Sequence, residues 1–217
     1  MKKLTVISGK GGTGKTTLVS NLSYLAEGLV LADCDVDAPN LHILLNPENL
    51  DSKIYKSGKL AVKDQDKCIS CGFCYELCRF DAITPEEFKI NPIKCDGCNV
   101  CVAQCPQKAL ELVPEDTGEI FKSQTRFGPM IHAKLKAGAD NSGKLVSEVR
   151  KKADKTAEDK NKKIVLIDGS PGIGCPVIAS LNGVDAALII TEPTRSGLAD
   201  LKRILETILK IFEKKFE

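Results

Sequence analysis

One segment near the N-terminus of the 217-residue chain restricts its possible folds more than any other. Residues 9–17 read Gly-Lys-Gly-Gly-Thr-Gly-Lys-Thr-Thr and fit the pattern G-x-x-x-x-G-K-[ST] of a phosphate-binding loop. A β-like apolar run, residues 4–8, precedes the loop, and a helical pattern, residues 16–27, follows it. In that context the glycines turn backbone N–H groups inward, and the helix N-terminus adds a positive dipole. The alternative is an ordinary glycine-rich turn.

The loop residues have individual expected roles. We expect Lys15 to reach the β- and γ-phosphates of a nucleotide and Thr16 to bind Mg²⁺ through its hydroxyl group. The residues expected to hold the nucleotide are Gly9, Gly11, Gly12, Thr13, Gly14, Lys15, Thr16 and Thr17.

Acidic residues follow the apolar runs that predict buried parallel strands. Asp33, Asp35 and Asp37 follow the run at residues 29–32, and Asp168 ends the run at 164–168. Ligands bind at the carboxyl ends of such strands, so we expect Asp168 to bind Mg²⁺ directly or through water. The next glycine-rich loop contains Gly172, which we expect beside the γ-phosphate in a segment that changes shape when that phosphate leaves. For the first acidic group the alternative is a turn with Asp37 as a helix N-cap.

Eight of the ten cysteines lie between residues 60 and 113, in two runs. Each cysteine of the first run has a counterpart 27 residues later, which indicates an internal duplication. The chain has no apolar N-terminal stretch typical of a signal peptide, so bound metal is favoured over disulfides. The spacing C-x₂-C-x₂-C-x₃-C resembles that of a bacterial two-cluster ferredoxin, in which the fourth cysteine of each run binds the other cluster.

This resemblance implies two ligand sets. One [4Fe–4S] cluster is expected on Cys68, Cys71, Cys74 and Cys105. The other is expected on Cys95, Cys98, Cys101 and Cys78. Arg79 stands where the pattern usually has a proline, and we expect it to alter the turn or the cluster potential rather than occupancy. Zinc sites and disulfides are the alternatives.

The second lysine of the loop, Lys10, makes the segment K-G-G-T-G-K-T resemble the deviant-Walker ATPases of the MinD/ParA/nitrogenase iron protein family. The resemblance implies ATP and Mg²⁺ as ligands and a homodimer with nucleotide at its interface. It also implies that Lys10 reaches the partner's nucleotide and that Asp35 orients or activates the attacking water. The implied catalytic residues are therefore Lys10, Lys15 and Asp35. An exposed lysine beside the loop is the alternative for Lys10.

The implied fold class is α/β: a P-loop NTPase with a mostly parallel sheet, helices on both faces, and an inserted ferredoxin-like α+β domain. We predict the ATPase domain at residues 1–58 and 115–217 and the ferredoxin domain at 59–114. The resembled family continues with strands that contact adenine, so we expect a C-terminally short ATPase domain in which the contacts to the base are not predicted.

The leading functional prediction is an ATP-hydrolysing iron–sulfur protein that couples its nucleotide state to electron transfer to an unidentified protein. One alternative is an ATP-dependent assembly or carrier factor for clusters or metallocofactors, and a second is a nucleotide-dependent localisation protein. The net charge of +2 argues neither for nor against a nucleic-acid partner. We interpret the basic stretch at 150–163 as a solvated helix end and loop, with a nucleic-acid patch as the alternative, and therefore expect no nucleic-acid partner. No apolar run approaches the roughly 20 residues of a membrane span, so we expect a cytoplasmic protein without a membrane partner.

Overall fold

The computed structural model describes residues 1–139 and 142–213. Seven strands and seven helices follow one another in this part of the chain. In chain order they are β1 Lys2–Ser8, α1 Lys15–Leu25, β2 Leu29–Asp33, α2 Leu41–Leu45, β3 Glu48–Lys63, α3 Phe73–Glu76, α4 Val100–Ala103, β4 Leu110–Thr125, β5 Gly128–Leu135, α5 Ser142–Asp159, β6 Ile164–Pro171, α6 Cys175–Leu181, β7 Ala186–Ile190 and α7 Arg195–Glu213.

The strands form one seven-stranded sheet in the order β3-β4-β5-β2-β6-β1-β7. Strand β1 is parallel to both β6 and β7, and β2 is parallel to both β5 and β6. Strand β4 is antiparallel to β5. The sheet is therefore mostly parallel, and the carboxyl ends of β1, β2 and β6 lie side by side.

Helices cover both faces of the central strands. Val6 and Ile7 are adjacent on β1, point to opposite faces, and are both completely buried. Val6 belongs to a core that includes Val19 of α1 and Leu41 of α2. Ile7 belongs to a second core with Val177 of α6 and Ile204 of α7. Burial on both faces explains the continuous apolar runs of the central strands, and the predicted α/β class is confirmed.

The chain divides into two compact units. The first contains Met1–Ile54, Gly118–Lys136 and the described residues from Ser142 onward. The second contains Tyr55–Thr117 and the short segment that begins at Ala137. Strands β3 and β4 each begin in one unit and end in the other, so two continuous strands connect the units covalently.

Two local predictions differ from the structure. Asp37 is not a helix N-cap, because α2 begins at Leu41 and Asn40 precedes it. The sequence predicts no strand at residues 48–59, where β3 begins, because most of these side chains are exposed and give no apolar alternation. Across the described ranges, no helix combines the length and apolar character needed to cross a membrane.

Candidate functional site

The loop between β1 and α1 has the backbone geometry of a phosphate-binding loop. Gly12 and Gly14 have φ values of 78° and 90°, in the left-handed region that side chains disfavour. Helix α1 begins immediately afterwards, at Lys15. The Ser8 hydroxyl donates a hydrogen bond to the carbonyl oxygen of Lys10 at 2.6 Å and holds the start of the loop. Because the first N–H groups of a helix have no partner within the helix, those of the first turn of α1 are available to an anion.

A cleft of about 710 Å³ opens above this loop, within the range of small-molecule sites. Its walls come from the loop, from the segment after β2 and from the end of β6. They comprise Gly11, Gly12, Gly14, Lys15, Thr16, Thr17, Asp35, Asp37, Ala38, Asn40, Ile43, Leu44, Ser170, Pro171 and Pro176. Lys15 is only 5% exposed, so its ammonium group is largely withdrawn from water at the base of the first helix.

Two predicted functional acids lie in different environments, one in the wall of this cleft and the other buried beside its residues Thr16 and Lys15. Asp35 lines the cleft, and burial raises the pKa of its carboxyl group while the nearby Lys15 lowers it. Asp168 is completely buried, and its pKa is raised to about 6 by burial, although the Thr16 hydroxyl and Lys15 act in the opposite direction. A hydroxyl and a carboxylate are the oxygen donors that Mg²⁺ prefers, so Thr16 and Asp168 fit the predicted magnesium site.

Asp33 has a structural role that the sequence did not reveal. Its carboxylate accepts hydrogen bonds from the backbone N–H groups of Asp35 and Leu41, at 3.1 and 3.2 Å. Burial and the neighbouring Asp168, which is paired with it in the sheet, raise the pKa of Asp33 well above its ordinary value. Asp33 thus fixes the segment that carries Asp35 and starts α2.

Four other predicted residues lie around the loop. Lys10 forms an ion pair with Glu192 of the same chain, with 2.7 Å between Nζ and Oε2. Gly9 packs so closely on α7 that a Cβ atom would lie 2.5 Å from the Cβ of Asp200. Gly172 follows the cleft residue Pro171, and its N–H donates to the carbonyl oxygen of Ser8 at 2.9 Å. Thr13 carries a buried hydroxyl without a hydrogen-bond partner among the described residues.

The second unit repeats its backbone conformation as well as its sequence. Helices α3 and α4 begin 27 residues apart, at Phe73 and Val100. Positive φ values recur at the same offset, and each pair differs by no more than 10°. The pairs are Ser70 with Gly97, Gly72 with Asn99, and Asp81 with Lys108. Two backbone hydrogen bonds follow the same offset. The N–H of Asp64 donates to the carbonyl oxygen of Ala109, and the N–H of Asn91, the counterpart of Asp64, donates to that of Ala82, the counterpart of Ala109. The two halves are therefore related by a pseudo-two-fold arrangement.

The eight cysteines of this unit divide between two cavities. One cavity is lined by Cys68, Cys71, Cys74 and Cys105. The other is lined by Cys78, Cys95, Cys98 and Cys101. Each set contains three cysteines of one run and the fourth cysteine of the other run.

The chemistry of these donors fits iron–sulfur clusters. All eight cysteines carry free thiols, and thiolates are the ligands that such clusters prefer. Within the described ranges, no three His, Cys, Asp or Glu side chains form a group that could hold a single metal ion.

A stacked pair of histidines in the first unit, one of them buried, is a further feature that sequence reasoning missed. His132 of β5 stacks on His42 of α2, with ring centroids 5.4 Å apart. Its Nε2 atom lies 3.0 Å from the Ser123 hydroxyl on β4, which donates to Asn49 of β3 at 2.6 Å. Burial, reinforced by His42, lowers the pKa of His132 to about 4, so its ring is neutral near pH 7. The sequence offered two isolated histidines, and only the fold brings them together.

Two known proteins have similar sequences, one over nearly the whole chain and one over about a quarter of it. A protein of Methanocaldococcus jannaschii designated uncharacterized protein MJ0578 is 38% identical over 211 residues, which cover 95% of this chain and 73% of that protein. The pyruvate synthase subunit PorD of the same organism is 38% identical over 58 residues, 25% of this chain and 67% of that subunit. The PorD match is partial, whereas the MJ0578 match extends over nearly the whole chain.

A solved structure has a similar fold. The structure of apo McdA from a cyanobacterium superimposes with a TM-score of 0.50 at 17% identity, covering 98% of this chain and 67% of that one. At this identity the likeness concerns the fold alone. The profile of one family matches residues 4–216. The chain therefore belongs to the CobQ/CobB/MinD/ParA nucleotide binding domain family.

Proposed function

We propose that this protein binds and hydrolyses MgATP and carries two [4Fe–4S] clusters whose electron transfer to a partner protein depends on nucleotide state. The observation that carries this proposal is the division of eight thiols, four to each of two cavities, in a chain that also has a cleft above the glycine-rich loop between β1 and α1. The partial match to a pyruvate synthase subunit also supports an iron–sulfur module.

The residues at the cleft have distinct tasks in the proposed hydrolysis. Lys15 and the N–H groups of the loop bind the β- and γ-phosphate oxygens and neutralise the charge that develops there. Thr16 and Asp168 would hold Mg²⁺, which offsets further phosphate charge when bound. The raised pKa of Asp35 suits a carboxylate that orients the attacking water and accepts its proton.

Lys10 completes the site in a proposed homodimer. Its ion pair with Glu192 is about one-third exposed on both sides, so water screens it and the pair contributes little stability. Lys10 can therefore exchange Glu192 for the nucleotide of a second copy at low cost. This supports the assignment of Lys10 as a residue that acts across the dimer interface.

In the second unit, the two cysteine sets would bind the clusters, which take up and release single electrons when present. Four thiols surround each cavity, so every iron of a cubane receives a protein ligand. With a complete ligand set, no iron has a free coordination position through which the cluster could be transferred. This favours electron transfer over the delivery of clusters to another protein.

A chain of contacts within the first unit supports coupling between nucleotide and clusters. Asp33 ties the Asp35 segment to the start of α2, and His42 of α2 stacks on His132. His132 is in turn linked through Ser123 to Asn49. Ser123 and Asn49 lie on β4 and β3, the two strands that continue into the cysteine-containing unit. These contacts therefore connect the segment near the γ-phosphate to both strands, so that a structural change at the phosphate is transmitted through packed side chains.

The proposal is tested first by anaerobic reconstitution and iron analysis. We expect about eight irons per chain, a [4Fe–4S] spectrum, and MgATP hydrolysis by the same preparation. Transfer of iron and sulfide to an apo-protein on addition of ATP would instead support an assembly or carrier function. Four or fewer irons after full reconstitution would contradict the two ligand sets.

The nucleotide assignment is tested by Lys15→Ala. Loss of the buried ammonium group should reduce ATP affinity by at least 100-fold in calorimetric titrations, because it is the main positive charge at the phosphate site. Lys2→Ala, which removes an exposed lysine paired with Asp185, serves as the matched control and should bind ATP normally. Unchanged affinity in Lys15→Ala would exclude the loop as the phosphate site.

A further inference from the structure

The two cysteine-lined cavities can be compared position by position. Because the halves of the second unit repeat with an offset of 27 residues, nearly every residue that lines one cavity has a counterpart lining the other. Ala109 corresponds to Ala82, and Leu110 corresponds to Ile83. These conservative pairs provide an internal reference against which the other lining residues can be judged.

Two counterpart pairs that line both cavities differ in charge, whereas Arg79, which follows Cys78 and is the counterpart of Pro106, is not among the lining residues of the second cavity. Lys63 lines the cavity of Cys68, Cys71, Cys74 and Cys105, whereas its counterpart Ile90 lines the other cavity. Asp96 lines the cavity of Cys78, Cys95, Cys98 and Cys101, whereas its counterpart Ile69 lines the first. One cavity therefore has a lysine and no acidic lining residue, and the other has an aspartate and no basic one, among the residues that the structure describes.

Other contacts strengthen this difference. The Lys63 ammonium group donates to the carbonyl oxygen of Glu87 at 2.7 Å, which holds the charge in place at the rim of its cavity. The backbone N–H of Ala109 donates to the Sγ atom of Cys105 at 3.3 Å. The ammonium group brings a full positive charge to the first cavity, and the N–H group brings the positive end of a dipole.

Reduction adds one negative charge to a cluster. A nearby ammonium group and an N–H donor to a ligand sulfur stabilise the reduced form, and a nearby carboxylate destabilises it. We propose that the cluster on Cys68, Cys71, Cys74 and Cys105 has the higher reduction potential, and that Lys63 and Asp96 are the residues that set the difference.

This inference depends on the two-cluster assignment proposed above, and it gives electron flow a direction. A low-potential one-electron donor, such as a reduced iron–sulfur protein, supplies the electron. With both clusters bound, the electron would pass from the Cys95 set to the Cys68 set, which would oxidise the first cluster and reduce the second without transfer of an atom or proton. An electron on the chain therefore resides mainly at the cavity that contains Lys63.

The test is a potentiometric titration of the anaerobically reconstituted full chain, followed by electron paramagnetic resonance. We expect two midpoints that differ by at least a tenfold change in the reduction equilibrium, which is 59 mV for one electron. Lys63→Ile, which introduces the residue of the symmetric position, should lower the higher midpoint. Asp96→Asn should raise the lower one, and it tests the same claim if Lys63→Ile does not load with iron.

The matched control is Lys56→Ile, because Lys56 lies in the same unit, pairs with Asp116 and lines neither cavity. Both midpoints should be unchanged in this variant. Two clusters with one common midpoint, or a Lys63→Ile variant with unaltered midpoints, would overturn the inference while leaving the two-cluster proposal intact. Fewer than two clusters by iron content and spin quantitation would overturn both.

Discussion

At the scale of residues, three acids near the cleft differ in environment although they lie close together. Asp33 is buried and bound to two backbone N–H groups, Asp168 is buried beside Thr16, and Asp35 faces the cleft. In the proposed function the carboxylate that faces the cleft contacts the attacking water, whereas the buried carboxylate of Asp33 organises the backbone and that of Asp168 would hold Mg²⁺. The distribution of tasks follows from burial and not from residue type.

Asp35→Asn should bind ATP with nearly unchanged affinity and lose hydrolysis by a factor of about 10² to 10⁴, because the amide cannot accept a proton from water. Steady-state hydrolysis and calorimetric binding by the same preparation separate the two effects. Asp51→Asn, which removes an exposed acid of β3, is the control. Hydrolysis at the wild-type rate in Asp35→Asn would remove this residue from the catalytic machinery.

Asp168 makes the stability of the nucleotide-free protein depend on pH. Since its pKa is raised from 3.8 to about 6, the folded state holds this proton more tightly than the unfolded state, and the associated stability is lost as pH rises through about 6. Asp168→Asn should therefore gain stability relative to wild type between pH 4 and pH 7, by up to about 3 kcal/mol at pH 7.

Urea unfolding of the apo-protein at several pH values measures this difference. The variant should also lose the stabilisation that Mg²⁺ adds to the ATP complex. A difference between variant and wild type that is constant from pH 4 to pH 7 would contradict the proposed environment of Asp168.

At the scale of elements, the local order of strand, loop and helix was predictable because it depends on neighbouring residues. The phosphate-binding loop follows from glycine at Gly12 and Gly14, where positive φ values occur. The long strand β3 was not predictable, because its first half is exposed and lacks apolar alternation. The contacts of Asp33 and His132 could not be predicted either, because their partners come from distant parts of the chain.

The duplicated elements of the second unit lead to a prediction about Gly97. A Cβ atom at this position would lie 2.1 Å from the carbonyl oxygen of Lys59, and φ is 63°. Gly97→Ala should therefore destabilise the unit by about 2–4 kcal/mol and lower the iron content at the Cys95 set. Ser70→Ala, at the symmetric position, is the control and should retain all of the iron.

Iron analysis and urea unfolding monitored by cluster absorbance measure this effect. Full iron content and unaltered stability in Gly97→Ala would show that the backbone of β3 does not approach this turn as closely as described.

At the scale of the whole molecule, the family and the mostly parallel sheet were predicted from the loop and its flanking strands, and both are confirmed. The two ligand sets remain predictions, supported by the two cavities between which the cysteines divide. Strands β3 and β4 pass from one unit to the other, so the proposed coupling has covalent continuity through both.

Coupling between two sites is reciprocal: if nucleotide changes the reduction equilibrium of a cluster, reduction must change nucleotide affinity by the same factor. The most direct test is therefore to measure the cluster midpoints with and without MgATP, and the Kd of MgATP with the clusters oxidised and reduced. Hydrolysis is prevented by using Asp35→Asn. The account predicts a shift of about 59 mV or more in at least one midpoint and a matching tenfold or larger change in Kd. Midpoints that ATP leaves unchanged, together with one Kd for both oxidation states, would contradict it.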